Sequence, residues 1–193
     1  AKKGIFTKQM ADVLKEEKHI NKEWLMERVA NGRIAIPANK NHINLIGKGV
    51  GDGLLTKVNV NLGVSEACNN MEMEIDKVRN AINLKADAIM DLSIFGDTRA
   101  FRRRLVEESP VMLGTVPMYD AVAKLGKNIK DMSVDDLFRV TEEHMVDGID
   151  FLTIHAGLNR TCVERVQKNP RLTHIVSRGG SILYEWMLKN DKE

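Results

Sequence analysis

Apolar residues beyond position 56 fall into short runs that end in polar groups, and each run is followed by a stretch with helical spacing. The runs are Lys57-Val58-Asn59-Val60-Asn61-Leu62-Gly63, Ala88-Ile89-Met90-Asp91-Leu92-Ser93, Val111-Met112-Leu113-Gly114-Thr115-Val116, Phe151-Leu152-Thr153-Ile154-His155 and His174-Ile175-Val176-Ser177-Arg178. Such runs bounded by turn residues predict buried strands. The helices predicted between and after them cover 66–85, 97–108, 118–126 with 133–147, 159–168 and 181–191. Ser133 followed by Asp136, ahead of Leu137 and Val140, is a capping-box variant with Asp in the usual place of Glu or Gln. Pro110 and Pro170 fall in connections, where a missing amide donor does least harm.

Residues 1–50 do not share this alternation. Asn21 reads as an N-cap before Trp24, Leu25 and Val29, with Gly32 as the stop, and Arg33-Ile34-Ala35-Ile36-Pro37 is a short extended piece. This part is expected to be a lead-in that packs on a main domain spanning 51–193.

Repeated βα units admit two architectures. A doubly wound sheet gathers its ligand at one switch point. A (β/α)8 barrel of the TIM type draws polar groups from the ends of many strands. Every run here ends in polar residues, and Asn59 and Asn61 share one face of their strand while Val58 and Val60 share the other. The expected fold is therefore an α/β (β/α)8 barrel, with about five of its eight βα units present. A closed barrel takes ~250 residues, so the chain reads as truncated, with its C-terminal half absent. The open edge after the fifth strand is expected to be covered by that half or by a homodimer partner.

Composition adds little that is specific. With 43% hydrophobic and 29% charged residues the chain is globular in type, and a net charge of +2 gives no reason to expect nucleic acid. No apolar run approaches the ~20 residues that cross a bilayer. Cys68 and Cys162 have no metal-binding spacing, which points to cytoplasmic residence with free thiols.

Candidate chemistry lies at the strand ends. Ser177-Arg178-Gly179-Gly180-Ser181 follows an apolar strand and opens a helix. Glycine amides, a helix N-terminus and two donor side chains suit a phosphate, although a plain glycine turn has the same pattern. His155 at a strand end is an acid–base or ring-binding group, or a histidine bonded to backbone. Asp91 could be a base or a ligand, and Tyr119 a hydroxyl ligand or a packed aromatic. Met90 reads as core filler. Arg102-Arg103-Arg104, beside Phe101 and Leu105, reads as a solvated helix face. No metal-spaced His/Cys cluster occurs.

Several motifs occur in a shared order: Lys2-Lys3-Gly4-Ile5, Ile36-Pro37-Ala38-Asn39 with Asn41-His42, Val58-Asn59-Val60-Asn61-Leu62-Gly63, Met90-Asp91-Leu92-Ser93, Gly114-Thr115-Val116-Pro117-Met118-Tyr119, Thr153-Ile154-His155-Ala156-Gly157 and Ile175-Val176-Ser177-Arg178-Gly179-Gly180-Ser181. In that order the chain resembles the phosphomethylpyrimidine synthase family of thiamine biosynthesis, which includes the 5-hydroxybenzimidazole synthases of anaerobic cobalamin biosynthesis. The resemblance implies a radical S-adenosylmethionine lyase with a (β/α)8 barrel, acting on 5-aminoimidazole ribonucleotide. It implies a 4Fe-4S cluster on three cysteines near the C-terminus and a divalent metal on two histidines, all outside this stretch, so the chain alone is expected to be inactive. Its substrate-binding positions map to Asn61, Met90, Tyr119, His155, Ser177, Arg178 and Gly179. Asn59-Val60-Asn61-Leu62-Gly63-Val64-Ser65 and Met90-Asp91-Leu92-Ser93-Ile94-Phe95-Gly96 depart from the thiamine pattern and look more like the benzimidazole-forming paralogues. The expected product is 5-hydroxybenzimidazole, with the thiamine pyrimidine phosphate as the alternative. Rival readings are a free-standing ribotide-binding module on an open sheet, and an aldolase or isomerase, for which Lys57 is the only strand lysine and lies at the wrong strand end.

Overall fold

Parallel pairing organises the residues from 59 to 152. In a computed structural model, which describes residues 1–125 and 131–193, the strands β3 (Asn59–Leu62), β4 (Ala88–Asp91), β5 (Met112–Thr115) and β6 (Phe151–Leu152) form a four-stranded sheet in that order. Asn59 is in register with Ala88 and Asn61 with Met90, and Met90 in turn with Gly114. Ahead of them, β1 (Ile34–Ala35) and β2 (Val50–Gly51) make a separate antiparallel pair. The chain divides into two units, Ala1–Thr115 with His144–Phe151, and Val116–Glu143 with Leu152–Glu193.

In the first unit, α1 (Lys8–Glu16) and α2 (Lys22–Ala30) bury Met10, Val13 and Leu25 against Ile34. Thr7 and Asn21 cap them, each side chain accepting from the third backbone amide onward. Helix α2 ends as Gly32 predicts: Gly32 takes φ +70°, and the amides of Gly32 and Arg33 bond to Val29 and Arg28 in a Schellman motif. Helix α3 (Met71–Asn83) ends in the same motif with Lys85, not glycine, in the left-handed conformation at φ 65°. Its buried Ile75, Val78 and Ala81 join Ile89 and Leu113 of the sheet and Phe101 and Leu105 of α4 (Thr98–Glu108) as core residues. Val58 and Val60 line a shallow hollow with Asn80 and Ala81 of α3 and with Leu84, its C-cap, as their strand face predicts.

In the second unit, α5 (Pro117–Leu125), α6 (Val134–Val146, whose last turn belongs to the first unit), α7 (Arg160–Lys168) and α8 (Arg178–Asn190) bury Ala121, Val140, Val163, Trp186 and Met187 together. Trp186 satisfies its indole N–H on the Met132 carbonyl, 2.8 Å away. The reciprocal capping box is present: Ser133 N donates to Asp136 Oδ2 and Asp136 N to Ser133 Oγ. The final residue of the expected 118–126 helix lies outside the described residues.

Two expectations are corrected. The run 174–178 is not a strand. His174 turns back in the left-handed region (φ 52°) with its amide on Arg171, Val176 is exposed, and Arg178 already begins α8. Two apolar residues without a neighbouring ladder have nothing to hold them extended. Arg102 is not on a solvated face either: its side chain is 1% exposed, because the buried carboxylate of Asp147 requires a cation there. The described residues thus show a mixed α/β fold with four parallel-sheet strands, one fewer than the runs suggested.

Candidate functional site

The sharpest sequence signal becomes a helix N-terminus with an imidazole pressed against it. Ser177 is the N-cap of α8, and its Oγ accepts from Gly180 N at 3.1 Å. Among the described residues no acceptor meets the amides of Arg178 or Gly179, so both remain available at the positive end of the helix. A Cβ on Gly179 would lie 2.1 Å from Cε1 and 2.4 Å from Nε2 of His155. Glycine is therefore required here by the closeness of the ring, not by backbone conformation.

His155 is the second element. Its Nδ1 is buried without a hydrogen-bond partner in the protein, which costs stability unless a ligand or water supplies one. Its ring lies 6.4 Å from that of Tyr119, tilted by 36°. The Arg178 guanidinium sits 5.5 Å from the Tyr119 ring centroid, a cation–π contact. Tyr119, His155, Ser177, Arg178 and Gly179 are thus brought together within the second unit. His155 also borders an apolar hollow of about 370 Å³ lined by Met118, Leu137, Ile154, Leu183 and Trp186. That volume suits a small organic ligand, but its walls carry few polar groups, so the chemistry lies at the helix end.

Asn61 and Met90 belong to the first unit, as cross-strand neighbours on β3 and β4. Asn61 is exposed and its Oδ1 accepts from Asn59 Nδ2 at 2.7 Å. Asp91, one residue beyond Met90, is buried, and its Oδ1 accepts from Ser93 N at 2.8 Å while Ser93 Oγ accepts from Val64 N. This ties the ends of β3 and β4 and makes Asp91 a brace. Lys57, which an aldolase would need, donates to the buried Glu17 carboxylate at 2.6 Å. Burial alone would raise the Glu17 pKa, yet the hydrogen bonds from Lys57 and the Leu55 amide bring it below the ordinary value.

Residues 1–193 match, over their whole length, the model of the radical SAM ThiC family. The chain belongs to that family. It is similar to the phosphomethylpyrimidine synthases of Clostridium tetani (56% identical over all of this chain and 42% of that protein), of Clostridium perfringens (56%, covering 44%) and of Pelotomaculum thermopropionicum (55%, covering 44%). The chain therefore spans less than half the length of these relatives. The expected benzimidazole product is overturned by their names: the departures at Val60, Leu62, Val64, Ile94 and Phe95 do not keep the chain from 54–56% identity with proteins named for the pyrimidine.

Membership of the family implies a 4Fe-4S cluster and S-adenosylmethionine. The residues present do not fit a cluster. Cys68 and Cys162 are free, half-buried thiols, one in each unit, and no group of three His, Cys, Asp or Glu among the described residues could hold a metal ion. The divalent metal finds no site among them either. No helix among the described residues is long and apolar enough to cross a membrane.

Sequence reasoning missed the residues that hold the frame. His42 and Asp150 lie 108 positions apart, and no local pattern joins them. The motif residues Asn39 and Asn41 could have been read as capping groups, and the structure uses them so: Asn39 Nδ2 donates to Met145 and Ile149 carbonyls, and Asn41 Nδ2 to that of Val146.

Proposed function

We propose that this chain is the substrate-binding part of a radical S-adenosylmethionine lyase that converts 5-aminoimidazole ribonucleotide into 4-amino-5-hydroxymethyl-2-methylpyrimidine phosphate for thiamine. The observation that carries this reading is the contact of His155 with Gly179 at the N-terminus of α8, with Arg178 stacked on Tyr119. A phosphate at the free amides of Arg178 and Gly179 meets the helix dipole and the guanidinium together. His155, with its unpartnered Nδ1, then faces the heterocycle, and the Tyr119 ring stiffens the arginine. Asn61 and Met90 are assigned to the same substrate on the resemblance alone.

The chain's residues bind and orient; the radical chemistry belongs to a cluster that they do not ligate. In this reading residues 51–193 form the first part of a (β/α)8 barrel, 1–50 a lead-in packed on it, and the complete protein a homodimer. The chain alone lacks lyase activity.

Calorimetric titration of the full chain with 5-aminoimidazole ribonucleotide tests the binding. Affinity is expected to fall by about tenfold or more in Arg178→Ala, the loss of one charge-assisted contact, and to fall also in His155→Ala. Unchanged affinity in both variants removes the site. Anaerobic turnover by the complete, cluster-loaded protein, with products identified by mass spectrometry, tests the reaction, and absence of the pyrimidine phosphate overturns it.

A further inference from the structure

The segment that leads into α8 folds back over the helix it is about to start. His174 reverses direction at φ 52°, and Ile175, Val176 and Ser177 follow before Arg178 opens the helix. A Cβ on Gly180 would lie 3.1 Å from Ser177 Oγ and 3.5 Å from Cγ2 of Ile175, so a glycine lets this segment lie against the first turn. The hydroxyl of Ser181 closes the arrangement. Its Oγ lies 3.0 Å from the Ile175 carbonyl oxygen and 2.9 Å from that of Ser177. The Ser177 carbonyl already accepts the Ser181 amide at 2.8 Å, whereas no backbone amide among the described residues meets the Ile175 carbonyl. A hydroxyl has one proton to donate, and Ile175 is the acceptor that needs it.

Helices are often entered through a hydrophobic staple, in which the residue before the N-cap packs on the fourth helical residue and fixes the entry angle. Here Val176 is exposed and the fourth helical residue is Ser181, so that staple is missing. The hydroxyl bond from Ser181 to Ile175 takes its place. Two consequences meet at the helix end. A carbonyl oxygen repels an anion, and Ser181 engages the Ile175 and Ser177 carbonyls within the first turn, which leaves the amides of Arg178 and Gly179 for the ligand. The entry angle also sets where Arg178, next to the N-cap, places the guanidinium that stacks on Tyr119. A separate sign that a ligand belongs here is the buried Nδ1 of His155, which has no partner in the protein and lies 2.7 Å from the place a Gly179 Cβ would take.

We infer that Ser181 is a positioning residue for the substrate phosphate, acting through the lead-in segment 175–177 and not by touching the ligand. The inference rests on the reading of the α8 start as the phosphate site of the ribotide.

Calorimetric titration of the full chain with 5-aminoimidazole ribonucleotide tests it, with Ser181→Ala and Ser181→Thr beside the wild type and Arg178→Ala. Ser181→Ala is expected to weaken binding about three- to tenfold, because the lead-in then holds the competent conformation only part of the time. Ser181→Thr keeps an Oγ able to bond a carbonyl of the preceding turn and should bring affinity back to within about twofold of wild type. Alanine is the better helix former, which offsets the lost bond, so the melting temperature of Ser181→Ala should stay within about 3 °C of wild type. A merely structural serine would lower the melting temperature and leave affinity unchanged. Affinity unchanged in Ser181→Ala while Arg178→Ala loses binding overturns this inference alone, as does equal weakening in Ser181→Ala and Ser181→Thr. A wild type that does not bind, or an Arg178→Ala that binds as wild type does, removes the phosphate reading and the inference with it.

Discussion

The imidazole of His42 is clamped between two acceptors: Nδ1 lies 2.7 Å from Asp150 Oδ2, and Nε2 lies 2.7 Å from the carbonyl oxygen of Ser109. Neither side chain is exposed. Asp150 Oδ2 also accepts from Leu113 N, and Oδ1 from Asn39 N. One carboxylate therefore joins β5, the turn before β6 and the segment that caps the end of α6.

This pair makes stability sensitive to alkaline pH. Burial alone would lower the His42 pKa, but the hydrogen bond and charge of Asp150, with the Ser109 carbonyl, raise it above its ordinary 6.5. A raised histidine contributes stability that is fully present below the unfolded pKa of 6.5 and lost as pH rises through the folded value. Urea unfolding of the full chain should show that loss as pH rises above 6.5. His42→Leu leaves Asp150 a buried unpaired charge and should cost about 3–5 kcal/mol. A variant that keeps the wild-type alkaline slope would show that the slope arises elsewhere.

Asp147 contributes to the acid limb. Burial works to raise its pKa, and the hydrogen bonds from Arg103 and Arg102 more than offset this, so the carboxyl titrates below 3.8. Its contribution is present above the unfolded value of 3.8 and is lost as pH falls through the folded one. Asp147→Asn should cost about 3–5 kcal/mol at neutral pH, because it removes the carboxylate from the buried ion pair with Arg102. The variant should also flatten the loss of stability below pH ~4, where the lost titration no longer contributes. An acid limb as steep as wild type would exclude Asp147 as its source.

Lys85 offers a stabilising change. It holds a left-handed conformation at the end of α3 that costs an L residue ~1–2 kcal/mol and glycine almost nothing. Glycine's greater freedom in the unfolded chain returns part of this. Lys85→Gly should therefore raise stability by about 0.5–1 kcal/mol, read as a shift in the urea midpoint at constant slope. A lower midpoint would mean that the lysine stem packs more than its conformation costs.

The helices were legible where a cap and an apolar stripe coincide. Asp97 before Phe101 and Leu105, Ser133 before Leu137 and Val140, and Asn159 before Val163 each place a helix start within a residue of the expected one. The run at 174–178 misled because two apolar residues can read as a strand without a ladder partner, a condition no local pattern records. Arg102 misled for a similar reason: its carboxylate is 45 positions away. Within the site, Tyr119, His155 and Ser177-Arg178-Gly179 stood out because strand ends and helix starts carry their own polar signature. Gly179's actual constraint, the His155 ring, is tertiary and left no trace in sequence.

Two glycines separate backbone constraint from site constraint. Gly63 takes φ 151°, and a Cβ there would meet Ser93 N at 2.6 Å and the Leu92 carbonyl carbon at 2.7 Å, both backbone atoms that cannot move aside. Gly179 is helical and its obstacle is the side chain of His155. Gly63→Ala should therefore cost several kcal/mol, about 3 or more from strain and overpacking together. Gly179→Ala gains ~0.5–1 kcal/mol of helix propensity, so the full chain should stay folded while the imidazole is displaced from α8. Thermal melting should separate the two variants, and ribotide titration should show Gly179→Ala weakened in binding with its fold intact. If Gly179→Ala binds the ribotide as wild type does, the contact between the ring and the helix start has no part in recognition.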